Sequence, residues 1–356
     1  MDIHALLKLL VETEASDLHL TAPSPPVLRI NGELIPQNNT DALTPEDIIQ
    51  AFNDITTEEQ RNRFVRELEL DFAIEAAGIG RFRINASVQR SSTSLSIRVV
   101  RTTIRSIDEL MLPEVCKALA LKDHGLVLIT GPAGCGKSTT LAAMIEYLNG
   151  MRRRRVITIE DPIEFVHRNR ECFISQREVG SDTRSFANAL RHALRQDPDV
   201  ILVGEMRDLE TMATVLTAAE TGHLILTTLH TPSAPQAIDR IIDVFPSYQQ
   251  PQARIQLSTT LEGVIYQTLI PRADGDGRIV ATEVMIANDA IRNLIREGKT
   301  PQMVSVMQTG SKFGMQTLDQ ALIDLHRRGL ISLEDVLCRC RDLEVAKKTI
   351  ARFGRK

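Results

Sequence analysis

Gly131-Pro132-Ala133-Gly134-Cys135-Gly136-Lys137-Ser138 decides the fold of this chain. The run has the spacing G-x-x-x-x-G-K-[ST]. It follows the apolar stretch Leu126-Val127-Leu128-Ile129-Thr130 and leads into a helix-like segment, Thr139 to Leu148. A glycine-rich turn from strand to helix lets backbone N–H groups converge on a phosphate, and the helix N-terminus adds a favourable dipole. Lys137 is placed to reach the β- and γ-phosphates of a nucleotide, and the Ser138 hydroxyl to hold Mg²⁺. A strand on one side and a helix on the other set the run apart from a chance glycine-rich turn.

Outward from this loop, strands alternate with helices, which predicts a mainly parallel sheet. The core strands read as Leu126 to Thr130, Val156 to Ile159, Val200 to Val203 and Leu224 to Leu229. Their near-continuous apolar character fits burial on both faces. Amphipathic helical stretches lie between and after them, at Phe186 to Gln196, Leu209 to Thr221 and Pro235 to Val244. A helical run over Arg254 to Thr268 is expected next, then a hairpin turning at Asp274-Gly275-Asp276-Gly277; beyond Asn288 the pattern is helical.

The first hundred residues read differently. A short helix over Ile3 to Glu14 precedes strand-like pieces at Leu18 to Leu20, Val27 to Ile30 and Arg81 to Asn85. Asn31-Gly32 between apolar runs signals a hairpin. Thr44-Pro45-Glu46-Asp47 starts a helix with proline in its first turn. Residues 1–100 therefore form a small α+β domain, 101–106 a polar connector, and 107–356 the nucleotide domain.

At 356 residues, 43% of them apolar and 25% charged, the chain has room and composition for two soluble domains. A net charge of −4 provides no global basic field for nucleic acid. No apolar run approaches the roughly 20 residues of a membrane span, and Met1-Asp2-Ile3-His4 lacks a signal layout, so a cytosolic protein is expected. Cys116, Cys135, Cys172, Cys338 and Cys340 show no C-x-x-C spacing and read as reduced thiols.

Acids cluster where ligands bind in open α/β sheets, at carboxyl ends of strands. Glu160-Asp161-Pro162-Ile163-Glu164 ends the second core strand. Such a carboxylate can orient a water in line with a γ-phosphate, or it can belong to a solvated turn. After the third strand comes Gly204-Glu205. With Gly204 at the usual Asp position, Glu205 is expected to act through Mg²⁺-bound water. His223 and His230 flank the fourth strand; His230, at its far end, is placed to contact a γ-phosphate, although a surface or hydrogen-bonded structural role is more common for such a residue. Arg195 is expected to serve its own nucleotide domain, whereas Arg81, Arg83, Arg98 and Arg101 would serve as trans-acting fingers if subunits form a ring. Arg152 to Arg155 reads as a solvated turn.

Five segments then coincide with one family. Gly131 to Thr139, Ile157 to His167, Leu194 to Asp199, Val203 to Asp208, and Thr221 to His230 together resemble the segments that hold the Walker A, Asp box, Walker B and His box motifs of the secretion-ATPase superfamily. Ala290-Ile291-Arg292-Asn293-Leu294-Ile295-Arg296-Glu297 is similar to the signature of its PilT-type branch, the type IV pilus retraction motors. The resemblance implies an α/β chain with a PAS-like N-terminal domain and a RecA-like P-loop ATPase domain. It also implies a homohexameric ring binding ATP and Mg²⁺ between these domains.

By motif position Glu164 would be the catalytic base, Glu205 the Mg²⁺-linked acid, and His223 and His230 the relay of nucleotide state; Gly204 is normal in this family. Two departures stand out. Cys135 occupies a common serine position, and Ser91 to Arg98 replaces a glycine-containing stretch. The implied partners are an inner-membrane pilus platform protein and related pilus ATPases, at a cytoplasmic, membrane-peripheral location. The neighbouring readings are an accessory retraction ATPase and a pilus extension or type II secretion ATPase; the four-cysteine metal motif of the latter two is absent. A nucleic-acid motor would need an aromatic-lined basic channel, which a chain with no Trp and three Tyr does not suggest. A module that binds ATP without hydrolysing it is disfavoured by the full set of acids.

Overall fold

The computed structural model describes residues 2–30, 32–37, 40–100, 103–275 and 277–353, with only the backbone described at 352 and 353. The chain divides into two compact units, Met1–Thr103 and Ile104–Lys356. Asn31 of the hairpin signal, Arg101 of the arginine set and the connector residue Thr102 lie outside the described residues, as does Asp276.

The first unit runs α1 (Ile3–Glu12), β1 (Asp17–Leu20), β2 (Val27–Ile30), β3 (Glu33–Pro36), α2 (Pro45–Ile55), α3 (Glu58–Glu67), β4 (Glu69–Ala76), β5 (Gly80–Gln89) and β6 (Ser92–Val100). Its sheet has the order β3-β2-β1-β6-β5-β4, and every pairing is antiparallel. Helix α2 begins at a capping box in which Thr44 and Asp47 satisfy each other's backbone N–H groups, as the Thr-Pro-Glu-Asp start predicts. Alternation along β5 and β6 sends Phe82, Ile84, Leu95 and Ile97 into the core and leaves Arg83 and Arg98 on the other face. The β5–β6 turn uses Arg90 and Ser91, both at positive φ (47° and 63°), without glycine.

The second unit runs α4 (Val115–Ala120), β7 (Gly125–Thr130), α5 (Lys137–Met151), β8 (Arg155–Glu160), β9 (Phe173–Glu178), α6 (Phe186–Ala193), β10 (Val200–Val203), α7 (Leu209–Glu220), β11 (Leu224–Leu229), α8 (Ala234–Asp243), α9 (Gln250–Thr260), β12 (Leu261–Pro271) and β13 (Arg278–Ile286). Helices α10 (Asp289–Glu297), α11 (Met303–Thr309), α12 (Leu318–Arg327), α13 (Leu333–Arg339) and α14 (Leu343–Phe353) follow. The sheet order is β13-β12-β7-β11-β10-β8-β9, parallel except for the edge strand β13. Along β7, Leu126 and Leu128 pack into one apolar cluster and Val127 and Ile129 into another, so both faces of the sheet are covered.

The expected helix over Arg254 to Thr268 is wrong in its second half. Helix α9 stops at Thr260, and Leu261 to Pro271 is a strand between β7 and β13. The β-branched and aromatic run Val264-Ile265-Tyr266 fits a pleated buried surface better than a helix, and Gly263 allows Leu119 to approach to 3.1 Å of where a Cβ would stand. Strand β9 also went unread, since its sequence Phe-Ile-Ser-Gln-Arg-Glu holds no sustained apolar run.

Candidate functional site

The carboxyl ends of β7, β8, β10 and β11 lie side by side, because these strands are parallel and in register: Thr130 aligns with Leu229, Val203 with Thr227 and with Ile159. Each strand therefore delivers the residues after it to one edge. The phosphate loop leaves β7 there. Gly131, Gly134 and Gly136 have φ of 143°, 71° and 90°, a region that glycine enters without strain. At Gly131 a Cβ would stand 2.3 Å from the Gln267 carbonyl oxygen, so only glycine fits. Pro132, Ala133 and Gly134 are exposed at the mouth, and Ser138 and Thr139 are half-buried on the first turn of α5.

Lys137 is 9% exposed, and its Nζ donates to the carbonyl oxygens of Gly131 (2.9 Å) and Pro132 (3.0 Å). It lies 3.3 Å from His230 Nδ1. Burial lowers the lysine's pKa, opposed by Cys135, Glu205 and Glu164. A buried ammonium whose hydrogen-bond partners are two carbonyls and an imidazole suits an anion of higher charge density, such as a nucleotide's phosphates.

His230 links this lysine to the third strand. Its Nε2 lies 3.6 Å from Glu205 Oε1, and Arg207 Nε donates to Glu205 Oε2 at 2.8 Å. Arg207 sits within the Walker B segment quoted above, and its contact with Glu205 escapes a sequence reading. The groove beside this group, about 500 Å³, is lined by Glu205, Arg207, His230, Thr231 and Asp239 among others.

The two glutamates of the Asp box differ. Glu160 is enclosed: Thr158 Oγ1 (2.6 Å) and Gln176 Nε2 (3.1 Å) both donate to its Oε1, and burial raises its pKa. Glu164 is exposed, and its charge is felt at Lys137. Gln176 also donates to the Phe165 carbonyl and accepts from His167 N, bracing the loop that carries Glu164.

Cys135 is 3% exposed, and burial raises its thiol pKa, which opposes formation of the reactive thiolate. All five cysteines are free thiols.

Gln267 is the residue that sequence reading missed. It lies in β12 and is 1% exposed; its Nε2 donates to the Cys135 carbonyl at 2.7 Å and its Oε1 accepts from Thr140 Oγ1 at 2.9 Å. It clasps the phosphate loop to the helix behind it. With its segment read as helix, no signal pointed there.

His223 and Arg195 are not brought to this cradle. His223 sits at the start of β11, its carbonyl accepting from Gly125 N and its Nδ1 lying 3.0 Å from the Ala218 carbonyl. A strand of six residues separates it from the phosphate edge, about 20 Å. Arg195, exposed, lies beyond the end of α6, beside Gln196, whose carbonyl accepts from Arg155 at the start of β8. Helix α6 has returned the chain to the amino edge before β10 begins.

The run Arg152 to Arg155 is spent largely on local contacts: Arg153 pairs with Glu171, Arg154 with Asp199 and Asp123, and Arg155 stacks on Phe173. In the first unit Arg98 donates to Asp17 at 2.7 Å. Arg83, opposite Arg98 in register, is exposed with no acid partner among the described residues, and Arg81 is half-buried.

Among the described residues no helix is long and apolar enough to cross a membrane, and no group of three His, Cys, Asp or Glu could hold a metal by itself.

Comparison with known proteins gives consistent results. A family model described as Type II/IV secretion system protein matches residues 2–338. The chain is 50% identical over 335 residues to the type IV pilus retraction ATPase PilT of Pseudomonas aeruginosa, covering 94% of this chain and 97% of the relative. It is 46% identical over 319 residues to a twitching motility protein of Neisseria gonorrhoeae, covering 90% and 85%. The crystal structure of the pilus retraction motor PilT with bound ADP is similar at a TM-score of 0.92 and 46% identity, covering 98% of this chain and 99% of that one.

Proposed function

The chain belongs to the Type II/IV secretion system protein family, and from that premise we propose that it is an ATPase that powers retraction of type IV pili. The observation that carries the reading is the meeting of Lys137, His230 and Glu205 at one sheet edge, with the lysine buried among neutral acceptors. ATP is the substrate, its phosphates lying along the N–H groups of 131–139 with Lys137 at the β- and γ-phosphates. The Ser138 hydroxyl and Glu205 would hold Mg²⁺, which would supply positive charge against that developing on the phosphate oxygens.

Glu164 takes a proton from the water that attacks the γ-phosphorus. The bond to the bridging oxygen breaks, and ADP and phosphate leave. His230, between Lys137 and Glu205, reports whether the γ-phosphate is present. His223 and Arg195, at the far edge of their own sheet, would act on a neighbour's nucleotide across a subunit boundary. The same holds for Arg83 and the other arginines of the first unit.

The working form is a homohexamer seated at the inner-membrane pilus platform, where flexing of the connector at 101–106 turns hydrolysis into rotation of one domain against the other. Nucleic acid has no part in it. Two measurements test the reading together. The purified chain should hydrolyse ATP at a rate unchanged by added DNA or RNA, and cells lacking the gene should carry excess pili. Cells without pili would identify an extension motor instead.

A further inference from the structure

We infer that Arg341 and Glu283 form a positioning pair through which the C-terminal helices hold His230 against Lys137; the inference rests on the ATPase reading above. The loop after β11 is gripped at both ends. At the near end, Thr231 N donates to Thr130 Oγ1 at 2.9 Å, and the two hydroxyls lie 2.7 Å apart; Thr130 directly precedes the phosphate loop. At the far end, Arg341 Nη2 donates to the Pro232 carbonyl at 2.9 Å, and Ala234 N, at the start of α8, donates to Glu283 Oε1 at 2.7 Å. Arg341 Nη1 closes the group by pairing with Glu283 Oε2 at 2.6 Å.

Glu283, in β13, is 1% exposed, so its carboxylate depends on this guanidinium and on the backbone donors around it. The guanidinium also lies over the Tyr266 ring, 5.6 Å from its centroid, and Tyr266 aligns with Thr130 across the sheet. Arg341 is itself fixed from the C-terminal side. Its backbone N–H and that of Asp342 donate to the two oxygens of Asp319, on the first turn of α12, at 2.7 and 2.9 Å. A continuous polar path thus runs from α12 through Asp319 and Arg341 to the loop that begins with His230. The two grips fix the backbone that carries His230, and so the place from which its ring reaches Lys137.

A pair that only anchored the C-terminal helices would affect stability and leave the chemistry of the assembled enzyme alone. A positioning pair acts through His230, and a double-mutant cycle reads that difference. In the full-length chain, Arg341→Ala is expected to lower kcat for ATP about fivefold to tenfold, with ADP affinity within about twofold of the unmutated chain. In a His230→Ala background the same substitution should cost no further activity. Should Arg341→Ala fail to fold, Arg341→Lys, which keeps one donor toward Glu283, carries the test with an expected loss of about threefold and the same silence in the His230→Ala background. An unchanged kcat, or losses that multiply in the double variant, overturns the inference while the ATPase reading stands. An unmutated chain without turnover removes the ATPase reading and this inference with it.

Discussion

Glu160 and Glu164 leave the same strand within one short loop, yet their surroundings suit opposite tasks. Glu164 is exposed near the phosphate edge, free to meet a water there as the proposed general base would. Replacing it with glutamine should leave ATP binding intact and lower kcat by about 10²- to 10⁴-fold, the usual contribution of a general base. Robust hydrolysis by that variant would remove Glu164 from the role. Glu160 is enclosed, and burial raises its carboxyl above the ordinary value of 4.5. A raised folded-state pKa means that the folded chain holds the proton more tightly. The stability it contributes is therefore complete below 4.5 and is lost as pH climbs through the folded value. Glu160→Gln keeps an acceptor for Thr158 and Gln176 without the charge, so Tm should rise at neutral pH, with the gain vanishing below about pH 4. Thermal melts across that range check it, and a gain independent of pH would contradict the assignment. The residue pattern by itself does not separate the two, because an acid-rich strand end looks the same whether a carboxylate points into the protein or out of it; only the family motif singles out Glu164.

Among the elements, β12 shows most clearly what local pattern misses. Its segment follows a true helix and was expected to continue it. The sheet captures it instead, because Leu261 to Tyr266 pair with β7 and bury a pleated apolar surface on the phosphate-loop strand. The clasp from Gln267 to Cys135 and Thr140 exists only once that pairing forms. Gln267→Leu would leave the Cys135 carbonyl and the Thr140 hydroxyl buried without these partners, at about 1–3 kcal/mol each. We expect a lower denaturation midpoint and weaker ADP binding; a variant with wild-type affinity would show that the loop holds its shape unaided. The elements that were legible owe this to strong local signals. The capping box at Thr44 satisfies its own N-terminus, and β7, β10 and β11 are apolar throughout.

Over the whole molecule, separate apolar cores underlie the two units: among the described residues Ile3 to Ile97 supply one, and residues after Ile104 supply two, one on each face of the second sheet. In the proposed ring the first unit's arginines would act in trans, on nucleotide bound by a neighbouring subunit. Arg83 is the candidate of choice, since it is exposed with no acid partner among the described residues, whereas Arg98 is engaged by Asp17. Arg83→Ala should cut turnover by at least about tenfold. Mixing Arg83→Ala with Glu164→Gln chains and reassembling them should give more activity than the two separately, because some interfaces then hold both intact residues. Activity that never exceeds the sum of the parts would place Arg83 outside the site.

What the amino-acid order determined by itself was whatever depends on neighbours in the chain: the glycine spacing of the phosphate loop, the helix starts, the apolar strands that must be buried on both faces, and the family likeness these motifs carry. Which carboxylate is enclosed, which strand supplies Gln267, and how Arg341 comes to grip the loop of His230 were decided only by tertiary structure. Those contacts join residues far apart in the chain. Their energies come from burial and hydrogen-bond geometry that exist only after the sheet has brought its strands together.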